Sequence, residues 1–275
     1  MSFMAIKRNI LLNPGPSTTT DTVKMAQVVP DICPREEEFG NIMKEMRSDL
    51  VRIVHGDPQE YTAVLFCGSG TINIDVCLNS LLPEGKKILV VNNGAYSARA
   101  VEICEAYGLD VIDLQFSPEM LPDLELVEKT LQENSEIALV HTTHNETGTG
   151  ILNPIREIGA LAHKYNAVFT VDTTSTYAMR PIHVHEDNID FCMASAQKGL
   201  MSHCGAGALS RRLWSCPFRY KCPSWGCMPL AGSSRSTRRN TPRRSPGRTR
   251  GTPSRAGRPG SCCARAPASG AGCAL

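Results

Sequence analysis

Ala63-Val64-Leu65-Phe66-Cys67-Gly68-Ser69-Gly70-Thr71 carries the decision about the fold. Its first five residues form an unbroken apolar run of strand length, with no polar residue to mark a solvent face. Gly68-Ser69-Gly70 breaks the run, and a helix is expected from Thr71 to Leu82, ended by Pro83-Glu84-Gly85. The same alternation continues downstream. Lys87 to Val91 reads as a strand, Asn92-Asn93-Gly94 as a turn, and Ser97 to Tyr107 as a helix. In that helix Ala100, Ile103, Cys104 and Tyr107 share one face, and Gly108 supplies the stop. Val111 to Leu114 is the next strand, and Leu124, Val127 and Leu131 mark a helix behind Pro122-Asp123. Ile137 to His141 reads as a strand, Ile155 to Tyr165 as a helix, and Ala167 to Asp172 and Ile189 to Ala194 as two further strands.

Strand and helix in alternation predict an α/β fold: a mainly parallel sheet with helices on both faces. Ligands of such sheets sit beyond the carboxyl ends of the strands, so the residues just after each strand are the candidates for chemistry. Residues 1–20 read as an N-terminal arm containing the turn Asn13-Pro14-Gly15-Pro16, and residues 21–201 as the domain. Within the domain's first part, Phe39 to Val51 is a helix behind the acidic run Glu36-Glu37-Glu38, whose charge suits a helix N-terminus.

Composition divides the chain sharply. From Ser202 onward there are 14 Lys plus Arg, no Asp or Glu, and no Ile or Val. That leaves 15 basic and 27 acidic residues in 1–201, so a net charge of −12 is followed by one of +14. Residues 202–275 consist largely of Arg, Pro, Gly, Ser, Ala and Cys without strand or helix periodicity, and disorder is expected there. Such a basic segment binds nucleic acid nonspecifically through phosphates. Arg, Pro, Gly, Ala and Ser are also what GC-rich coding DNA yields when read out of frame, so an aberrant extension is the preferred expectation.

No apolar run approaches the ~18 residues of a membrane span. The longest apolar stretch near the N-terminus, Ile10-Leu11-Leu12, is too short for a signal-peptide core, and a cytoplasmic location is expected. Of 12 cysteines, seven lie in the basic segment and the other five sit mostly in apolar runs, as reduced small hydrophobes do. His141-x-x-His144 and His183-Val184-His185-Glu186-Asp187 have spacings that metals use, but they read as a strand-end loop and a polar turn, so no metal is expected.

Four features fall on strand ends. Gly68-Ser69-Gly70-Thr71 opens a helix, where backbone N–H groups can meet a phosphate; a plain capped turn is the competing reading. Asp172 closes a strand as a helix cap, a metal ligand or an anion that keeps a ring nitrogen protonated. Lys198, in Ser195-Ala196-Gln197-Lys198-Gly199, is either a solvated charge or a nucleophilic amine. Tyr96 either covers the core or stacks on a flat ligand. An anion cradle, a ring platform, a carboxylate and an amine are together the parts that hold pyridoxal 5'-phosphate.

The residues that carry these features resemble the class V pyridoxal-phosphate aminotransferases of fold type I. The resemblance runs from about Asn9 to Met201. It rests on Leu12-Asn13-Pro14-Gly15-Pro16, Gly68-Ser69-Gly70-Thr71, Asn93-Gly94-Ala95-Tyr96-Ser97-Ala98-Arg99, His144-Asn145-Glu146-Thr147-Gly148-Thr149-Gly150, Val171-Asp172-Thr173-Thr174-Ser175 and Ser195-Ala196-Gln197-Lys198. It implies that Lys198 binds the cofactor aldehyde and shuttles the proton. Asp172 then pairs with the ring nitrogen, Tyr96 stacks on the ring, and Thr147 bonds its hydroxyl. Ser69, Gly70, Thr71 and Gln197 hold the phosphate. It further implies a homodimer that passes the amino group of 2-aminoethylphosphonate to pyruvate, giving phosphonoacetaldehyde and L-alanine. Members acting on alanine, serine or glyoxylate share the scaffold and stay open, as does a non-enzymatic remnant. Family members continue past the lysine into a small domain that clamps the substrate carboxylate. Here the sequence leaves their pattern near Ser202, so low stability and little or no activity are expected.

Overall fold

The strands Lys87–Asn92, Ile137–Thr143 and Val168–Asp172 bury apolar side chains on both of their faces, and the computed structural model, which describes residues 9–212, shows what covers each. The elements run α1 (Asp21–Met25), α2 (Glu37–Ile53), β1 (Tyr61–Cys67), α3 (Thr71–Leu81), β2 (Lys87–Asn92), α4 (Ala95–Tyr107) and β3 (Val111–Gln115). They continue with α5 (Leu124–Glu133), β4 (Ile137–Thr143), β5 (Asn145–Glu146), β6 (Ile151–Leu152), α6 (Ile155–Lys164), β7 (Val168–Asp172), β8 (Phe191–Ser195) and β9 (Ala206–Arg212). Leu89, Val91, Val140 and Phe169 face one way and meet Leu50 and Val51 of α2, Val127 and Leu131 of α5, and Ile158 of α6. Their alternates Ile88, Val90 and Leu139 face the other way, toward Ile74 and Leu78 of α3 and Ala100 and Cys104 of α4. Helices therefore lie on both sides of the sheet, as the alternation predicts.

Seven strands hydrogen-bond in the order β1-β9-β8-β7-β4-β2-β3. The run from β8 to β3 is parallel throughout, and β9 is antiparallel to both of its neighbours. Local chemistry fixes the helix ends. Asp123 caps α5 by accepting from the N–H of Glu125 at 2.9 Å, and Gly108 ends α4 at φ +67°, where a side chain would be strained.

Strand β9 corrects the domain limit drawn from the sequence. A boundary at Met201 would leave residues 206–212 in the tail, yet they form an internal strand with Ala208 and Leu209 both 5% exposed. The strand is built from small residues because its surroundings are tight: a Cβ on Gly207 would lie 2.9 Å from the Asn73 amide. Its composition thus resembles that of the Gly- and Ala-containing residues that follow, and no β-branched residue marks it. The expected disorder of the rest of the tail falls on residues outside those described. Among the described residues no helix is long and apolar enough to cross a membrane, and no cluster of His, Cys, Asp or Glu is arranged to hold a metal. Cys33, Cys67, Cys77, Cys104, Cys192 and Cys204 are free thiols.

Two buried histidines make the core sensitive to acid. His141 bonds Thr170 Oγ1 and His144 bonds Thr176 Oγ1, each through Nδ1 at 2.9 Å. Burial pushes both imidazoles down from 6.5 to about 4. The unfolded chain therefore binds more protons than the folded one between these values, so stability is full above pH 6.5 and falls as the pH drops toward 4. Each histidine contributes on the order of 3 kcal/mol to that fall. The melting temperature is expected to be flat above pH 7 and to decline steeply below 6.5. The His141→Gln variant should flatten the decline by about half; an unchanged slope assigns the effect elsewhere.

Candidate active site

The carboxyl ends of β1, β4, β7 and β8 and the starts of α3 and α4 enclose a cavity of about 200 Å³. Ser69, Gly70, Thr71, Tyr96, Thr147, Asp172, Gln197 and Lys198 all line it, so residues 129 positions apart in the chain converge on one cavity. All eight residues to which the sequence resemblance gives a part are thereby brought to one cavity.

At one end α3 begins without a side-chain cap at Gly70. The N–H groups of Ile72 and Asn73 turn back to the carbonyls of Ser69 and Gly70 at 3.1 Å each, while those of Gly70 and Thr71 donate to no described residue. The positive end of a helix thus faces the cavity with donors to spare. Gly70 allows the approach, because a Cβ there would lie 3.1 Å from the Ser195 Cβ. Ser195 Oγ in turn donates to Gln197 Oε1 at 2.6 Å, which leaves the Gln197 amide nitrogen free to donate.

Lys198 follows β8 and is held between two glycines. A Cβ on Gly199 would lie 2.1 Å from the Tyr177 carbonyl oxygen, and one on Gly15 would lie 2.2 Å from Lys198 Cδ. Residues 15–17 of the N-terminal arm cross the lysine directly. Ser17 N–H donates to the Gln197 carbonyl at 3.0 Å and Ser17 Oγ to that of Lys198 at 3.2 Å. The Lys198 ammonium donates only a long bond, 3.4 Å, to the Gly15 carbonyl.

Asp172 closes β7 at 5% exposure and accepts from the Thr174 N–H at 2.9 Å. Burial pushes its carboxyl above the ordinary carboxylate range, opposed by the bonds from Thr174. A cation beside it would remove that penalty. Thr143 stands opposite Asp172 in the parallel register, and its Oγ1 is buried without a partner among the described residues. Tyr96 projects from the first turn of α4, with the Arg99 guanidinium 5.4 Å from its ring centre.

Sequence reasoning assigned no part to Thr143, Thr174, Ser175 or Ser195, although all line the cavity. Three of them sit inside quoted motifs, and their small polar side chains carried no signal of their own. His144 was one of two paired histidines; its ring bonds Thr176 beneath the site and its backbone N–H donates to the Asp172 carbonyl at 2.9 Å.

Solved structures share this fold. The alanine–glyoxylate aminotransferase of Nostoc sp. superposes with a TM-score of 0.72 over 82% of this chain and 60% of that one, at 24% identity, a likeness of fold. The sequence narrows the class. Residues 22–214 match the family model of the class-V aminotransferases, and the chain belongs to that family. A 2-aminoethylphosphonate–pyruvate transaminase of Bacillus cereus is 37% identical over 198 residues, 72% of this chain and 57% of that protein. A bifunctional phosphonoacetaldehyde hydrolase/aminoethylphosphonate transaminase of Clostridioides difficile (strain 630) is also 37% identical over 198 residues, 31% of its own length. The chain therefore spans less than two thirds of these relatives.

Class-V aminotransferases are pyridoxal-phosphate enzymes, and the cavity fits that group. The uncapped helix start suits a phosphate, the buried Asp172 suits a protonated ring nitrogen, and the unpartnered Thr143 Oγ1 marks a polar wall left open for a ligand.

Proposed function

We propose that this chain carries the cofactor half of a transaminase that moves the amino group of 2-aminoethylphosphonate to pyruvate, releasing phosphonoacetaldehyde and L-alanine. The observation that carries the reading is the convergence of Lys198, Asp172 and the uncapped start of α3 on one cavity, in a chain 37% identical to transaminases named for that donor. When bound, pyridoxal phosphate supplies an aldehyde that takes up the amino group and a ring that accepts electrons.

The chain's own residues do the rest. Ser69, the N–H groups of Gly70 and Thr71, and the Gln197 amide bind the phosphate and fix the ring's reach. Asp172 holds a proton at the ring nitrogen, which relieves its own buried charge. Tyr96 covers one ring face, and Thr147 holds the ring hydroxyl. Lys198 would hold the aldehyde through Nζ and, as a free amine, would move the proton from the substrate carbon to the cofactor. A homodimer and a cytoplasmic setting belong to the same reading.

A single-turnover assay tests the donor. Protein loaded with pyridoxal phosphate and mixed with 2-aminoethylphosphonate is expected to release phosphonoacetaldehyde faster than it converts L-alanine or L-serine. Preference for either amino acid would replace the donor assignment with an alanine or serine transaminase. No conversion of any donor would leave a cofactor-binding remnant.

A further inference from the structure

Glu146 is a carboxylate at 1% exposure that no step above uses. It stands on β5 between Asn145 and Thr147, both of which line the cavity. Its side chain points away from them into the first turn of α4. There Oε1 accepts from the Ser97 N–H at 2.8 Å and from the Ser97 hydroxyl, and Oε2 accepts from the Tyr96 N–H at 3.2 Å. Helix α4 has no cap of its own, since Gly94 stands at its N-cap. A cap supplied from 50 residues downstream takes its place, and Gly94 leaves the room: a Cβ there would lie 2.5 Å from Glu146 Cδ.

A buried carboxylate needs such partners, and the uncapped helix start supplies both donors and a favourable dipole. The consequence reaches the site. One side chain ties the loop that bears Thr147 to the turn that bears Tyr96, so two parts of the cavity lining are joined. We infer that Glu146 is a positioning residue that holds the Tyr96 ring in place over the cofactor. The inference rests on the reading of Tyr96 as the ring platform.

Pyridoxal phosphate binding to the full chain is the test, read by equilibrium affinity and by the near-ultraviolet circular dichroism of the bound chromophore. In Glu146→Gln the amide nitrogen faces one of the donors, and affinity is expected to fall about tenfold with a loss of the dichroic band. In a Tyr96→Ala background the same substitution should cost no further affinity, although it still lowers the melting temperature. Glu146→Asp is expected to recover part of the affinity. A purely structural glutamate would lower the melting temperature and leave affinity and dichroism unchanged, or its effect would add to that of Tyr96→Ala; either result overturns the inference. Failure of the wild-type chain to bind the cofactor would instead overturn the functional reading beneath it.

Discussion

Lys198→Ala is expected to abolish all covalent capture of pyridoxal phosphate. Wild-type protein mixed with the cofactor and then with borohydride should carry one label, and peptide mapping should place it on Lys198. The variant should carry none. Its fold should survive, because the lysine is only half-buried and its side chain makes one long hydrogen bond among the described residues, to the Gly15 carbonyl. A melting temperature within about 3 °C of wild type is expected for the loss of so few contacts. The two measurements together separate chemistry from folding: a missing label in an equally stable protein is loss of the amine itself. A label on another lysine in the wild-type chain would remove Lys198 from its assigned role.

The parallel core was legible because each of its strands is an apolar run of strand length bounded by a turn residue. Lys87 to Val91 and Ala167 to Asp172 are read almost to the residue, as are the helices whose apolar face repeats at helical spacing. Residues that line the cavity were legible for a related reason. Ser69, Gly70, Thr71, Asp172 and Lys198 lie where strands end, and a parallel sheet gathers those ends along one edge.

What escaped has no local pattern. The β5–β6 hairpin is two residues per strand, too short for any periodicity. Glu146 looks like an ordinary loop carboxylate until its three donors, contributed by residues 96 and 97, are in view. The part played by residues 15–17 against Lys198 depends on a contact spanning 183 positions, which no window of sequence displays. Strand β9 was hidden by composition, since a strand of Ala, Gly, Leu, Ser and Arg resembles in residue types the Arg-, Gly-, Ser- and Ala-containing sequence that follows it.

Strand β9 is also where a single substitution should do most damage to the fold. Among the described residues β1 has β9 as its sole neighbour in the sheet, so the loop Gly68-Ser69-Gly70 is joined to the rest of the sheet through it. Ala208 sits at the middle of that connection, opposite Leu65 of β1 and Ala194 of β8. Ala208 is 5% exposed, so a carboxylate at this position would lose most of its hydration against Leu65 and Ala194, a cost of about 3–5 kcal/mol against a total stability of about 5–15. Ala208→Asp is therefore expected to lower the melting temperature by about 10 °C or more and to weaken pyridoxal phosphate binding along with it. Ala208→Ser, with a hydroxyl of nearly the same size, should cost about 1 kcal/mol and keep the cofactor. The pairing of the two effects matters, because loosening β9 frees β1, and β1 carries the start of α3 on which the phosphate is proposed to rest. An Ala208→Asp protein as stable as wild type would place residues 206–212 outside the cooperative core and return the domain limit to Met201.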